Sequence, residues 1–241
     1  MVSLAAGCGL RQVRQPALSA AQRPPATSVP APLSTPGAGA GVLWNEPFDL
    51  LDPTRWRQVE IKGRTQYDII EIDGEHCLRA TSQASASILL TEVQFDPKAY
   101  PWLSWRWRVD ELVKGESLEH KRGSDCAARV YVYFDTRGLP WQKRSLDYVW
   151  SGLLPVGQVL SSAFSDQSKI VVVESGSGAL GQWRQGARNI AADYRQAFGG
   201  DVPRVLAVGV MTDTDNTGSS ALAYVDDITI SGRRPNARGA R

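Results

Sequence analysis

The chain is poor in the residues that build metal centres and nucleophilic sites. Its 241 residues include 3 cysteines, 2 histidines and 2 methionines. His76 and His120 show no metal-ligand spacing, so both a zinc site and a Ser-His-Asp hydrolase are disfavoured. No GxSxG or Walker sequence occurs, and therefore no motif points to an α/β-hydrolase or to a Walker-type phosphate-binding loop.

A large charge excess and long apolar runs are missing as well. The 27 basic and 25 acidic residues give a net charge of +2, so the overall field does not steer the chain toward nucleic acid. No apolar run reaches the roughly 18 residues that a transmembrane helix needs. With 42% hydrophobic and 22% charged residues, the composition is that of an ordinary globular domain.

The N-terminus resembles a bacterial lipoprotein signal, because LAAG precedes Cys8 in the manner of a lipobox. It lacks the basic segment and the longer apolar segment of an export signal. A start codon assigned too far downstream would explain both; the alternative is a chance run of small residues before a free cysteine. We expect residues 1–14 to be a signal and lipid anchor at Cys8, which places the protein in the periplasm or cell envelope.

The rest of the chain divides by composition. Residues 15–41 are dominated by Pro, Ala, Ser, Thr and Gly, which cannot bury a core and predict a disordered tether. Residues 42–232 form the predicted folded domain, and residues 233–241 form a short basic tail that we expect to be disordered. An anchor and a tether would hold the domain away from a membrane that it contacts through the lipid alone.

Strict alternation of apolar and polar residues is the clearest structural signal. It occurs in WLSWRWRVD, residues 102–110, and in DCAARVYVYFD, residues 125–135, and it is typical of half-buried β-strands. Turn signals such as Asp73-Gly74 separate further short strands, as in antiparallel sheets. The predicted strands lie near residues 56–61, 67–72, 76–81, 86–93, 102–109, 127–135, 146–150, 170–174, 205–212 and 222–230. The sequence therefore predicts an all-β fold, an antiparallel, jelly-roll-like β-sandwich.

One helix interrupts this pattern near residues 183–198. Trp183, Ala187, Ile190, Tyr194 and Phe198 share one helical stripe, and the following glycine is placed to end the helix. The polar positions between them predict a solvated outer surface rather than a site.

A ligand-binding face is predicted from the polar sides of the two alternating strands. Arginine matches a carboxylate or sulfate with two hydrogen bonds, and tyrosine offers a ring and a hydroxyl, which together suit an acidic polysaccharide. If the two strands are neighbours in one sheet, these side chains converge, with Asp147 or Trp150 at the margin. The predicted binding residues are Arg106, Arg108, Arg129, Tyr131, Tyr133 and Asp147.

A purely structural interpretation of the same residues stands beside this one. The arginines would then pair across strands with Asp110, Asp125 and Asp135. Trp141 and Trp150 would extend a stacking platform under the first interpretation, and would be core residues under the second.

Two sets of carboxylates are candidates for a structural calcium ion; no other cofactor is expected. In DTDNTG, residues 213–218, Asp213 and Asp215 precede a glycine as in the first half of a calcium loop, but Tyr224 stands where an EF-hand has its bidentate acid. A polar hairpin turn is the alternative. The second set, which the ends of the domain would bring together, is Glu46, Asp49, Asp226 and Asp227.

Cys77 and Cys126 both lie in predicted strands. In an oxidising periplasm they would form one disulfide once Cys8 is lipidated, and free buried thiols are the alternative.

The folded region as a whole resembles a secreted bacterial family, domain of unknown function 3047. The resemblance rests on LSWRWRVDEL, SDCAARVYVYFD, SLDYVWSG, RNIAADYRQAFG and TDTDNTGSSALAYVDDI and covers about residues 42–230. It implies an exported bacterial protein with a sandwich domain and brings no activity with it.

Three functions remain open, and a non-enzymatic one is favoured. The first is an envelope lipoprotein that binds a glycan. The second is a polysaccharide lyase or glycoside hydrolase, although the Gln-x-His element of jelly-roll lyases is absent and the aspartates at 125, 135, 147 and 213 have no spacing that fixes their separation. The third is a structural domain that binds an envelope protein.

Overall fold

The computed structural model describes residues 41–136 and 143–235. This part of the chain forms thirteen strands and one helix. No helix within it is long and apolar enough to cross a membrane. The strands are β1 (Val42–Glu46), β2 (Trp56–Lys62), β3 (Gln66–Ile72), β4 (Glu75–Gln83), β5 (Ala86–Phe95), β6 (Trp102–Glu111), β7 (Cys126–Phe134), β8 (Ser145–Ser151), β9 (Val159–Ser162), β10 (Ser165–Ser175), β11 (Arg184–Asn189), β12 (Val205–Asp213) and β13 (Ser220–Ser231), and the helix is α1 (Ile190–Phe198).

The strands form two sheets, which confirms the predicted β-sandwich. Sheet A has the order β11-β6-β13-β4-β3, with β1 also paired to β13; sheet B has the order β2-β5-β12-β7-β8-β10-β9. All ten predicted strands are present. The pair β8 and β10 is parallel, whereas the other pairs are antiparallel. Alternation marks the two faces of a strand but carries no information on its direction.

The inward faces of both sheets meet in one aromatic core. Trp105 and Trp107 of β6 are almost fully buried, and so are Tyr148 and Trp150 of β8. The ring centroids of Trp105 and Tyr148 are 5.4 Å apart, and those of Trp107 and Trp150 are 6.0 Å apart. Because neighbouring side chains on a strand point to opposite faces, these rings force the intervening polar residues outward.

Most connections run from one sheet to the other, and two of them bear on the predicted site. Residues 112–125 connect β6 of sheet A to β7 of sheet B, and residues 214–219 connect β12 of sheet B to β13 of sheet A. The predicted hairpin turn at DTDNTG is therefore wrong, since its flanking strands lie in different sheets. The same residue types that favour a hairpin also suit this crossover, because both need a sharply turning polar loop.

The helix is shorter than predicted, and the prediction for residues 184–189 is wrong. These residues form edge strand β11, which pairs with β6, and α1 starts only after Asn189. The Asn189 side chain caps the helix by accepting a hydrogen bond from Ala192 N at 2.9 Å. Gly199, with φ of 72°, ends the helix as predicted.

Gly186 explains why the helical stripe was misleading. It lies directly opposite Trp105 in the β11–β6 pair, and a Cβ at this position would lie less than 3.0 Å from three ring carbons of Trp105. The strand therefore passes over the indole with no side chain of its own between them. Tertiary packing of this tryptophan, which no local pattern reveals, decides the local structure.

Candidate functional site

The structure separates the predicted binding residues into two groups. Arg106 and Arg108 lie on the outer face of sheet A, whereas Arg129, Tyr131 and Tyr133 lie on the outer face of sheet B. The predicted convergence on one surface is therefore wrong. Its physical reason is the crossover of residues 112–125, which places the two consecutive strands in opposite sheets. Each row lies on the side of its sheet that faces away from the sandwich core, as predicted, but Arg129 and Tyr131 are buried there and not partly exposed.

Arg106 belongs to a structural ion-pair network on sheet A. Its guanidinium forms a hydrogen bond with Asp226, lies 2.7 Å from Glu75 Oε2 and 3.2 Å from Asp227 Oδ2, and stacks 5.1 Å from the Trp183 ring. Burial raises the pKa of Asp226 to about 6, although its hydrogen bond with Arg106 opposes this. This arginine is held by acidic side chains of the protein itself.

The neighbouring arginines of sheet A are paired in the same way. Arg108 makes two hydrogen bonds with Asp110 and lies 5.5 Å from the Tyr224 ring, while Arg79 makes two with Asp68. Arg108 therefore pairs with Asp110 as the structural interpretation expects, but within strand β6 and not across strands. Asp125 and Asp135 pair with other groups: Asp125 accepts backbone hydrogen bonds in the 214–219 loop, and Asp135 pairs with Lys143.

The outer face of sheet B carries a pair of tyrosines. The Tyr131 and Tyr133 ring centroids are 5.5 Å apart, and their planes differ by 12°. Tyr131 lies opposite Gly209 on one side and Asp147 on the other. A Cβ at Gly209 would lie 3.0 Å from Ile88 and 3.1 Å from Leu90, so these two side chains fill the space beside the glycine. We call this surface the tyrosine face; its members are Ile88, Leu90, Tyr131, Tyr133, Ser145, Asp147, Ser168 and Met211, with Arg57 and Glu92 at the rim.

Asp147 is the buried acid of the tyrosine face. It is 2% exposed and accepts hydrogen bonds from Ser145 Oγ at 2.8 Å and from Ser168 Oγ at 2.6 Å. Burial raises the pKa of Asp147, while Arg129 and the two serines oppose this rise. The two serines fix the orientation of the carboxylate beside the rings.

Arg129 lies beneath this surface between two aspartates. It is 4% exposed, and its guanidinium lies 3.3 Å from Asp213 Oδ2 and 3.9 Å from Asp147 Oδ2. Burial alone would lower the pKa of Arg129, but the charge of Asp213 outweighs it and the arginine stays protonated. Burial raises the pKa of Asp213 to about 7, with Arg129 opposing. This ion-paired group is part of the framework and not a free anion receptor.

The first candidate calcium set gains one member and a different role. Carboxylate oxygens of Asp125, Asp213 and Asp215 lie within 4.8 Å of one another. Asp125 accepts hydrogen bonds from the backbone N of Asn216 and Thr217, and so holds the crossover loop in place. Three oxygen ligands of this kind suit a hard cation in chemical type. The sequence pattern did not indicate Asp125, because it comes from the end of the 112–125 loop, far from residues 213–218 in the sequence.

The second candidate calcium set does not assemble. Glu46 is buried and accepts hydrogen bonds from Trp56 Nε1 and Phe48 N, whereas Asp226 and Asp227 pair with Arg106. Asp49 is exposed. Within residues 41–136 and 143–235, the first set is the group of acidic, histidine or cysteine side chains close enough to share an ion. The prediction for Glu46, Asp49, Asp226 and Asp227 as one site is wrong.

The predicted disulfide is also wrong. Cys77 lies in β4 of sheet A and Cys126 in β7 of sheet B, and both are buried free thiols. Burial raises the pKa of the Cys77 thiol to about 11 and that of Cys126 further. Opposite sheets keep the two thiols apart, so this is again a consequence of the crossover. Cys8 lies outside the described residues.

The tryptophan predictions have mixed outcomes. Trp150 is a core residue with 0% exposure, and Trp141 lies outside the described residues. Sequence reasoning missed Ile88, Leu90 and Ser168 on the tyrosine face. The alternation in β5 could have identified Ile88 and Leu90 as one face, but only the strand order shows that this face adjoins the tyrosines.

Several solved structures are similar to this chain at low identity. A family 11 carbohydrate-binding module of a cellulosomal cellulase from Clostridium thermocellum is 11% identical, with a TM-score of 0.45, over 84% of this chain and 100% of its own. A xylan-binding domain of Xyn10C from Paenibacillus barcinonensis is 13% identical, with a TM-score of 0.40, over 84% and 100%. The cellulose-induced protein Cip1 is 11% identical, with a TM-score of 0.46, over 81% and 100%. Similarity this distant carries no argument about a ligand.

Family membership is a stronger finding. Among curated proteins none matches the sequence. The model of a family described as protein of unknown function, DUF3047, matches residues 54–229, which include strands of both sheets. This confirms the resemblance carried by the strand motifs. The chain belongs to the DUF3047 family.

Proposed function

We propose that the protein binds a carbohydrate on the tyrosine face. The observation that carries this proposal is the pair of nearly parallel rings, 5.5 Å apart, on the outer side of sheet B. Tyr131 is 8% exposed and Tyr133 is half-buried, so Tyr133 is the ring that a ligand reaches. Ile88 and Leu90 beside them are half-buried, so the surface around the rings is apolar and partly accessible to solvent.

The chemistry of a sugar matches this surface. A pyranose ring has an apolar C–H face that packs on aromatic and aliphatic side chains, and a hydroxyl edge that needs hydrogen-bond partners. Ligand sites of this kind combine a mostly apolar lining with a few fixed polar groups. Here the polar groups are the tyrosine hydroxyls and Ser168, which is partly exposed beside Asp147.

The burial of the acids supports binding over hydrolysis. Asp147 and Asp213 are 2% and 4% exposed, and each contacts Arg129. A general acid or base must come within hydrogen-bond reach of the substrate atom that exchanges the proton. Both carboxylates instead have protein partners.

The test is a binding measurement on the full chain with a panel of soluble polysaccharides. Wild type should bind at least one, and Tyr133→Ala should weaken that binding by about 5- to 150-fold, if a sugar stacked on the ring contributes about 1–3 kcal/mol as a stacked base does. The matched control is Trp183→Ala, which removes a partly exposed ring from sheet A. Melting temperatures verify that both variants fold. Equal loss in both variants, or no binding to any polysaccharide, would contradict the proposal.

We also propose that the domain is exported and anchored through Cys8. The support is the LAAGC sequence followed by the Pro- and Ala-rich residues 15–41. A surface that binds an extended polymer benefits from a tether, because the tether lets the domain reach ligand at a distance from the membrane.

A further inference from the structure

The arginines of strands β4 and β6 on the outer face of sheet A are already paired with acids of the protein. Arg79, Arg106 and Arg108 are each held by at least one carboxylate. Together these three cations contact five acids, which are Asp68, Glu75, Asp110, Asp226 and Asp227. These three guanidinium groups are therefore not free to bind an anionic ligand.

The buried cation of the tyrosine face is also paired already. Arg129 stands between Asp147 and Asp213, so its guanidinium is shared by two carboxyl groups of the protein. At the rim the exposed Arg57 and the exposed Glu92 place one charge of each sign. A carboxylate or sulfate placed on the rings would approach the buried Asp147, whose arginine is already shared with Asp213.

Electrostatics then discriminates between glycan classes. Like charges brought together across an interface cost several kcal/mol, and the cost rises where water is excluded. A hydroxyl carries no charge and meets no such penalty, while it can still donate to a serine or tyrosine oxygen. The residues that suggested an acidic polysaccharide therefore favour the opposite class once their partners are known.

We propose that the tyrosine face selects uncharged polysaccharides and rejects uronate-rich or sulfated ones. This rests on the proposed carbohydrate binding at that face. It names the ligand class as a chain of neutral pentose or hexose units, recognised by ring stacking and by hydroxyl hydrogen bonds, with Asp147 as the group that disfavours anions.

The test compares uncharged and anionic polymers on the full chain. The uncharged probes are barley β-glucan, arabinoxylan and galactomannan, and the anionic probes are polygalacturonate and heparin. At least one uncharged polymer should bind, and its carboxymethylated derivative should bind at least about tenfold more weakly at low salt. We call the ratio of the affinities for a polymer and for its carboxymethylated derivative the gap. Added salt should narrow the gap because salt screens the repulsion between like charges.

A rim variant makes the charge argument specific. Glu92→Lys reverses one exposed charge beside the tyrosines and should narrow the gap between a polymer and its carboxymethylated form. Glu71→Lys makes the same change on an exposed residue of sheet A and should leave the gap as in wild type.

The outcomes separate the two proposals. If an anionic probe binds as tightly as the uncharged ones, and Tyr133→Ala abolishes that binding, the charge selection is overturned and carbohydrate binding stands. If none of the five polymers binds, both proposals are overturned. If Glu92→Lys and Glu71→Lys change the gap equally, the selection does not arise at the tyrosine face.

Discussion

Replacing Arg129 by methionine should strongly destabilise the domain. The arginine side chain is 5% exposed, and its removal leaves Asp213 and Asp147, which are 6% and 3% exposed at the side chain, without their cation. Methionine keeps most of the length and apolar contact, so the change isolates the charge. Breaking a buried ion pair by removing one partner costs about 3–5 kcal/mol.

Arg108→Met is the matched control on the opposite sheet. Arg108 also pairs with an aspartate, Asp110, but the two side chains are 24% and 25% exposed. Partly exposed pairs of this kind contribute less than about 1 kcal/mol. The difference in stability between the two variants therefore reports the effect of burying the ion pair, because both variants lose an arginine.

The penalty at Arg129 should depend on pH. A buried carboxyl group whose pKa is higher in the folded than in the unfolded state holds its proton more tightly in the folded state. The protein therefore loses stability as the pH rises from the unfolded pKa to the folded pKa. For Asp213 this pH range runs from the ordinary pKa of 3.8 to about 7. Arg129 lowers the pKa of Asp213, so removing Arg129 extends the range to higher pH. The loss in free energy of unfolding that Arg129→Met causes should therefore be smaller at pH 5.5 than at pH 8.

Urea unfolding of wild type and both variants at the two pH values checks this reasoning. The predicted result is a large drop in midpoint for Arg129→Met at pH 8, a smaller drop at pH 5.5, and little change for Arg108→Met at either. A loss below about 1 kcal/mol at pH 8, or an equal loss at both pH values, would refute the assignment of Arg129 as a buried structural cation.

Two further predictions concern packing and export. Gly186→Ala should cost about 1–3 kcal/mol in urea unfolding, because its Cβ collides with Trp105; Gly178→Ala, where nothing lies within 4 Å, should leave the stability unchanged or slightly higher, and equal effects would contradict the collision. Fatty-acid labelling in a bacterial host that expresses the chain from its correct start should mark wild type and not Cys8→Ser; equal labelling of the two would argue against the anchor.

The strands were predictable because their signal is local. In β6 every second residue is apolar, and a strand with one buried face requires that pattern. Strand β7 shows the same alternation, although residues on both of its faces are buried. The helix boundary was not predictable, because the apolar spacing at 183–198 fits a helix, while Gly186 and the Trp105 ring place its first half in an edge strand. Local periodicity cannot register a contact with a residue about eighty positions away.

The candidate site shows the same limit one level higher. The two-residue alternation of the strand predicted that Tyr131 and Tyr133 lie on the same face, and the structure confirms this. Adjacency of Arg106 to them depended on whether residues 112–125 form a hairpin or a crossover, and strand order alone decides that. Arg129 and its partner Asp213 lie 84 positions apart, so the sequence could not show that this arginine is paired with a carboxylate.

Chemical-shift mapping of the aromatic rings during titration with barley β-glucan, arabinoxylan and galactomannan tests the central claim most directly. The account predicts that the ring signals of Tyr131 and Tyr133 shift in a saturable way with at least one polymer, while those of Trp183 and Tyr224 on sheet A stay in place. Saturable shifts at Trp183 and Tyr224 with unchanged Tyr131 and Tyr133, or no shifts with any polymer, would contradict it.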